Sequence, residues 1–113
     1  MAATPEGDVV QALIRECEAR GWKQRKITYE GRVGAPDRMV LAPSTLFFVE
    51  CKAPGQVPAS MQAREHERLR RAGVAVYVCD SEESVRYVFR HVDTQINKAS
   101  FKPKVALHKR EVG

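Results

Sequence analysis

Hydrophobic residues recur along this chain at two different spacings, and each spacing predicts a different kind of secondary structure. The first segment carries apolar residues three and four positions apart, which is typical of a helix with one buried face. Its apolar members are Val9, Val10, Leu13, Ile14 and Cys17. Thr4-Pro5 supplies a capping hydroxyl and a first-turn proline before this segment, and Gly21 follows it. The pattern therefore predicts a helix that begins near Pro5 and ends before Gly21.

Shorter apolar runs, bounded by turn residues, mark the strands and helices of the remaining chain. Strands are predicted over residues 22–29, 37–41, 46–51 and 74–79. One helix is predicted from a Ser60 cap to about Ala72, and another after a Ser81 cap, over residues 82–91. The predicted fold class is α/β, in the order α-β-β-β-α-β-α, with a mixed four-stranded sheet flanked by helices. Because a helix separates the last two strands, we expect them to be parallel neighbours.

Three charged residues interrupt these apolar strands, and they are the main candidates for chemistry. Asp37 follows a Gly-Ala-Pro turn at the start of one strand, while Glu50 and Lys52 lie two residues apart at the end of the next. Side chains alternate faces along a strand, so Glu50 and Lys52 should point to the same side. Two carboxylates that share a dry pocket repel each other, and a divalent cation such as Mg²⁺ removes that repulsion. The alternative is a surface hairpin on which a Glu/Lys pair faces water.

Five other residues can be placed near these acids or on the neighbouring helix, and each also has a simpler interpretation. Glu6 falls on the inward stripe of the first helix, where it either takes part in a metal site or complements the helix dipole. Arg32 and Arg38 flank the acids and are assigned to phosphate contact, with ordinary exposed arginines as the alternative. From its position alone, Gln62 is interpreted as a solvated helix residue. His66 has no second ligand at helical spacing and is interpreted as a surface residue.

Composition and charge indicate one small globular domain with a basic end. The chain has 113 residues, of which 43% are hydrophobic and 29% are charged, and its net charge is +5. Residues 94–113 contain five basic residues and one acid. We therefore divide the chain into a domain over residues 1–93 and a basic tail, which suits nucleic-acid phosphate but is also typical of a solubilising segment. Within the tail, the candidate DNA contacts are Lys98, Lys102 and Lys104.

Cysteine spacing and hydropathy indicate the compartment in which the protein is expected to work. The three cysteines, Cys17, Cys51 and Cys79, are far apart, and their odd number suggests neither a zinc site nor a disulfide framework. Reduced core thiols in a cytoplasm are the simplest interpretation. No long apolar run and no signal-peptide pattern are present, so we expect no membrane partner.

The charged residues also carry a resemblance to known nucleases. Pro36-Asp37 followed by Glu50-Cys51-Lys52 resembles the PD-(D/E)xK pattern of the restriction-endonuclease-like superfamily. Together with Gly34-Ala35, Gln62 and the strand after Gly73, the pattern resembles the VRR-NUC family of that superfamily over roughly residues 6–92. The resemblance implies a nuclease of the stand-alone type found in phages and bacteria. The expected location is then the cytoplasm of a bacterial cell or of a phage-infected host.

The resemblance also implies roles for individual residues. Ligands of Mg²⁺ or Mn²⁺ would be Asp37, Glu50 and the backbone carbonyl of Cys51, with Glu6 as the helical glutamate near the start of the domain. Lys52 and Gln62 would take the catalytic positions of the family's lysine and helix glutamine.

Three classes of function remain open at this point. The first is a metal-dependent DNA endonuclease, the second is a DNA-binding module without chemistry, and the third is a structural domain with an ordinary salt-bridge network. Within the first class, one small chain offers one site, so symmetric incision of a four-way junction would need a two-fold homodimer. Stand-alone VRR-NUC members imply the same Holliday-junction resolvase activity by resemblance. The alternative is a monomeric flap or general DNA nuclease.

Overall fold

The computed structural model describes residues 4–99 of the chain, and its elements follow the predicted order. They are α1 (Pro5–Arg20), β1 (Lys23–Lys26), β2 (Arg38–Ala42), β3 (Thr45–Cys51), α2 (Ser60–Arg71), β4 (Ala75–Cys79) and α3 (Glu82–Ala99). The predicted α-β-β-β-α-β-α architecture is thus confirmed. No helix in this part of the chain is long and apolar enough to cross a membrane.

The four strands form one mixed sheet in the order β1-β2-β3-β4. The first two pairings are antiparallel, and β3 pairs with β4 in parallel, as expected for two strands joined through α2. In the antiparallel register Arg38 lies opposite Val49 and Val40 lies opposite Phe47. This register fixes which residues of β2 and β3 share a face of the sheet.

The hydrophobic core lies between one face of the sheet and the helices α1 and α3. Phe47 is its centre, with edge-to-face ring contacts to Tyr77 and Phe89 at centroid distances of 5.6 and 5.7 Å. The ring of Trp22 stacks on Phe89 at 5.7 Å. Other fully buried members include Val9, Leu13, Cys17, Val40, Val49 and Val85. Alternation along β3 therefore turns Phe47, Val49 and Cys51 to the core and leaves the intervening residues for the opposite face.

Two elements differ in length from their predictions. β1 ends at Lys26, not at Tyr29, and the Tyr29 hydroxyl instead donates a hydrogen bond of 2.7 Å to Glu65 on α2. α3 continues to Ala99, eight residues beyond the predicted end at His91. Val92 is buried on this extension, and Asp93 accepts two hydrogen bonds, of 2.9 and 2.8 Å, from the Arg20 guanidinium. The boundary predicted after residue 93 therefore falls inside a helix.

Capping hydrogen bonds show where α2 and α3 begin. Ser81 caps α3 as predicted, since its Oγ accepts a hydrogen bond of 3.0 Å from the Ser84 N–H. The cap of α2 is Ala59, not Ser60, and the side-chain oxygen of Gln62 accepts a hydrogen bond of 3.1 Å from the Ala59 N–H. Gln62 thereby closes the start of α2 from within the helix.

Candidate active site

The end of the β2–β3 ladder brings the two predicted acids face to face. Extending the register by one residue beyond Arg38 and Val49 places Asp37 opposite Glu50. Residues that are directly opposite across an antiparallel pair have Cβ atoms about 4.5–5.5 Å apart and share a face. The expectation that adjoining strands bring these carboxylates together is consistent with this register.

Asp37 completes the edge of the sheet with its side chain. β2 begins only at Arg38, so the Cys51 N–H has no ladder partner on that side, and it donates a 2.8 Å hydrogen bond to Oδ2 of Asp37. The Asp37 carbonyl in turn accepts a hydrogen bond of 2.9 Å from the Ile27 N–H. Asp37 is therefore held from both sides, by its backbone and by one carboxylate oxygen.

Glu50 is a buried carboxylate with one oxygen bound and one oxygen free. The residue is 1% exposed. Its Oε2 accepts a hydrogen bond of 3.0 Å from the Gln62 amide and lies 3.3 Å from Nζ of Lys52. Its Oε1 is buried and has no hydrogen-bond partner. Burial, and then the nearby Asp37 carboxylate, raise the pKa of Glu50, while Lys52 partly offsets the rise.

Helix α2 contributes a second residue, His66, that the sequence interpretation placed on the surface. His66 is 1% exposed, and its Nε2 lies 3.6 Å from Oε1 of Glu50, too far for a hydrogen bond. Like Oε1 of Glu50, Nε2 of His66 has no hydrogen-bond partner. Burial and then Arg70 lower the pKa of His66, which favours the neutral imidazole. The surface interpretation was wrong, and the missed signal is the spacing, because Gln62 and His66 are four residues apart on one helix face.

Comparison with known proteins shows which family the chain resembles in sequence and fold. A solved structure described as "VRR_NUC domain" is 42% identical to the chain and superposes with a TM-score of 0.74, over 79% of this chain and 98% of that one. The protein named "Putative nuclease p44" of Acyrthosiphon pisum secondary endosymbiont phage 1 is 42% identical over 79 residues, which are 69% of this chain and 85% of that protein. No model of a protein family matches the chain. The chain belongs to the VRR-NUC family of nucleases.

Two further predicted site residues of this VRR-NUC nuclease are Glu6 and Arg38. Glu6 is exposed, so the prediction that it faces inward is wrong: burial of α1 begins only at Val9, and the first turn extends beyond the core. Arg38 pairs with Val49, so its side chain lies on the sheet face opposite to Glu50, where it donates a hydrogen bond of 2.9 Å to Gln24. Whether either residue has a functional role stays a prediction.

The remaining predicted DNA contacts are Arg32, Lys98, Lys102 and Lys104. Arg32 is on the loop before Asp37 and lies 3.7 Å from Glu65 of α2. Lys98 is in the last turn of α3. Lys102 and Lys104 lie outside the described residues.

The donor set of the VRR-NUC site suits a hard divalent cation. Mg²⁺ in proteins takes one or two carboxylates and keeps its other positions for water and phosphate oxygens, and the pair Asp37 and Glu50 offers that number. Oε1 of Glu50 is an orphaned buried acceptor, which a cation would satisfy. The thiol of Cys51 is unsuited, because burial raises its pKa to about 12. Within residues 4–99, no group of three His, Cys, Asp or Glu side chains is placed to hold a metal.

Proposed function

We propose that this VRR-NUC nuclease is a metal-dependent, structure-specific DNA endonuclease. The observation that carries the proposal is Glu50, a carboxylate buried to 99% with one unpartnered oxygen, in register with Asp37 and beside Lys52. A buried acid in this state costs stability, since its charge is only partly compensated. A structural salt-bridge network would leave no such oxygen, and a pure DNA-binding module has no need of two acids facing a polyanion.

Asp37, Glu50 and the backbone carbonyl of Cys51 are the groups that would hold Mg²⁺ or Mn²⁺. In a strand the N–H and the C=O of one residue point the same way, and the Cys51 N–H points to Asp37, so its carbonyl faces the same edge. A bound divalent cation supplies Lewis acidity toward a phosphate oxygen and lowers the pKa of a bound water. Glu6, which is exposed on the first turn of α1, is proposed as a further ligand from the resemblance alone.

Lys52 and Gln62 both contact the Glu50 carboxylate, and we assign them different roles. Lys52 is partly buried, and its ammonium lies 3.3 Å from Oε2 of Glu50, the oxygen that also accepts from Gln62. From there it can stabilise charge on the phosphate or orient the attacking water. Gln62 donates to Oε2 while its oxygen caps α2, so the same amide fixes both the helix start and the carboxylate. Oε1 of Glu50 is thereby directed away from Gln62.

We further propose that the working unit is a homodimer that resolves four-way DNA junctions. The support is that each chain offers one candidate site, and that a four-way junction has two-fold symmetry, which an isologous dimer matches. The basic residues Lys98, Lys102 and Lys104 would then contact the phosphates of the junction arms. A monomeric flap nuclease is the competing assignment and becomes an outcome of the second experiment below.

The first experiment replaces Asp37 with asparagine and uses Asp8→Asn, on the exposed surface of α1, as the matched control. Asp37→Asn should abolish cleavage in Mg²⁺ or Mn²⁺ and reduce Mn²⁺ binding measured by calorimetry, while Asp8→Asn leaves both unchanged. Chelator should stop cleavage by the wild type. Normal cutting by Asp37→Asn, or cutting that survives chelator, would contradict the metal-site assignment.

The second experiment addresses assembly and substrate. Light scattering at micromolar concentration is expected to give the mass of a dimer, and the wild type should cleave a four-way junction in preference to a 5′ flap. A monomer that prefers the flap would overturn the resolvase proposal and leave the nuclease assignment in place.

A further inference from the structure

A basic groove lies between the loop that precedes Asp37 and the first three turns of α2. It has a volume of about 430 Å³ and is lined by Gly31, Arg32, Val33, Met61, Arg64 and Arg68. Three of the six lining residues are arginines, and none is an acid. Two are apolar side chains that remain exposed, Val33 at 60% and Met61 at 54%.

The two walls of the groove are fixed to each other by Gly34 and Glu65. A Cβ on Gly34 would lie 3.1 Å from the Met61 carbonyl oxygen, so the loop backbone rests directly on α2. Glu65, of which only a tenth of the side chain is exposed, accepts a hydrogen bond of 2.7 Å from Tyr29 on Oε2. Oε1 of Glu65 lies 3.0 Å from Arg68 and 3.7 Å from Arg32. These contacts hold the loop against α2, so the groove is preorganised before a ligand binds.

Its charge is not balanced by the protein. Arg32 and Arg68 share a single oxygen of Glu65, and Arg64 has no hydrogen-bond or ion-pair partner within residues 4–99. Exposed arginines are usually solvated individually, but three guanidinium groups around one cavity repel each other unless an anion lies between them. The apolar Val33 and Met61 in the same cavity do not suit a small inorganic anion. They suit a ligand with charged and apolar parts in alternation, as in a nucleic-acid strand.

The groove also adjoins the proposed site. Gly34 is three residues before Asp37, so their Cα atoms are at most about 11 Å apart. On the opposite wall, Met61 directly precedes Gln62, which donates to Glu50. A strand whose phosphate lay at Asp37 and Glu50 would reach the groove with the next few nucleotides.

We propose that this groove binds the backbone of the DNA strand being cut, immediately beside the scissile phosphate. Phosphates contact Arg32, Arg64 and Arg68, and Val33 and Met61 contact the sugar and base edges between them. The inference rests on the proposed nuclease function, because it assigns the site of the substrate strand, but it concerns binding and not the chemical step.

The test compares Arg64→Gln with Arg71→Gln, which removes the same charge from the same helix at a residue outside the groove. Binding of a fluorescent oligonucleotide is measured in chelator, so that no cleavage occurs, at several salt concentrations. Arg64→Gln should raise Kd about fivefold to tenfold and lower the slope of log K against log salt by about 0.7–0.9. Arg71→Gln should leave both unchanged, and Arg64→Gln should raise KM for cleavage more than it lowers kcat.

The outcomes separate this inference from the nuclease proposal. If the two variants change Kd and the salt slope equally, the proposal that the groove binds DNA is wrong, even if the wild type cuts DNA. A selective effect of Arg64→Gln in a protein that never cuts DNA supports the groove and overturns the nuclease. Selective, tighter binding of an RNA strand overturns the assignment to DNA. Arg68→Gln provides a second variant, and an effect no larger than that of Arg71→Gln would also count against the groove.

Discussion

Gly34 is the contact between the loop that carries Asp37 and helix α2, and replacing it with alanine tests whether this contact holds the active site together. The residue has a φ of +103°, a region that side-chain-bearing residues rarely adopt. A Cβ there would lie 3.1 Å from the Met61 carbonyl oxygen and 3.2 Å from the Glu65 Cβ. Neither neighbour is the end of a flexible side chain, so neither can rotate away.

The expected cost has two parts. The backbone conformation costs about 1–2 kcal/mol for a residue with a Cβ, and forcing α2 away from the loop adds about 1–2 kcal/mol of overpacking. Gly34→Ala should therefore lower the free energy of unfolding by about 2–4 kcal/mol, out of the about 5–15 kcal/mol typical of a domain. Gly55→Ala is the matched control: its φ is +80°, but a Cβ there meets no atom within 4 Å, so only the backbone cost applies.

Thermal and urea unfolding measure the difference between the two variants. At about 4–8 °C per kcal/mol for a domain of this size, Gly34→Ala should lower Tm by about 8–30 °C and Gly55→Ala by about 4–16 °C. Cleavage assayed well below both midpoints should also fall in Gly34→Ala, because displacement of the loop moves Asp37 relative to Glu50. If the two variants unfold at the same urea concentration and cut equally well, the loop–helix contact does not position the site.

Four further predictions concern the site and the basic end of the chain. Lys52→Met should lower kcat far more than it lowers Mn²⁺ affinity in calorimetry; unchanged turnover would exclude a catalytic role. Because the folded protein raises the pKa of Glu50, this group favours folding at low pH, and its contribution is lost as pH rises through the raised pKa. Glu50→Gln should therefore flatten the fall in Tm with rising pH, and Mn²⁺ should restore Tm most at high pH in the wild type only. His66→Leu removes a buried nitrogen without a hydrogen-bond partner, so stability by urea unfolding should change by less than about 1.5 kcal/mol; a concurrent loss of cleavage would show that the imidazole positions Glu50, and full activity that it only packs. Deleting residues 100–113, which leaves α3 intact, should weaken DNA binding and reduce the slope of log K against log salt by about 0.9 per lost phosphate contact. An unchanged slope would show that residues 100–113 do not contact DNA phosphates.

The local order of residues was enough to predict the framework of the site. Strand alternation, continued one residue past the end of β3, puts Glu50 and Lys52 on one face and Cys51 on the other, and the structure shows the 3.3 Å contact between the two charges. The same applies to the helix spacing in α1 and the apolar run in β4, because side-chain periodicity follows from backbone geometry. These features depend only on neighbours in sequence.

Tertiary contacts decided helix length and side-chain burial, which hydrophobic periodicity does not determine. α3 extends past its predicted end because Asp93 meets Arg20, a residue 73 positions earlier. His66 is buried because α2 lies over the end of β3, whereas the polar sequence of that helix offered only a thin apolar stripe. Glu6 has the spacing of a buried residue, yet it is exposed because the core does not extend to the first turn of α1. Burial is a property of the partner surface and not of the segment, so the sequence determined which way each side chain points, and only the packed structure decided what it points at.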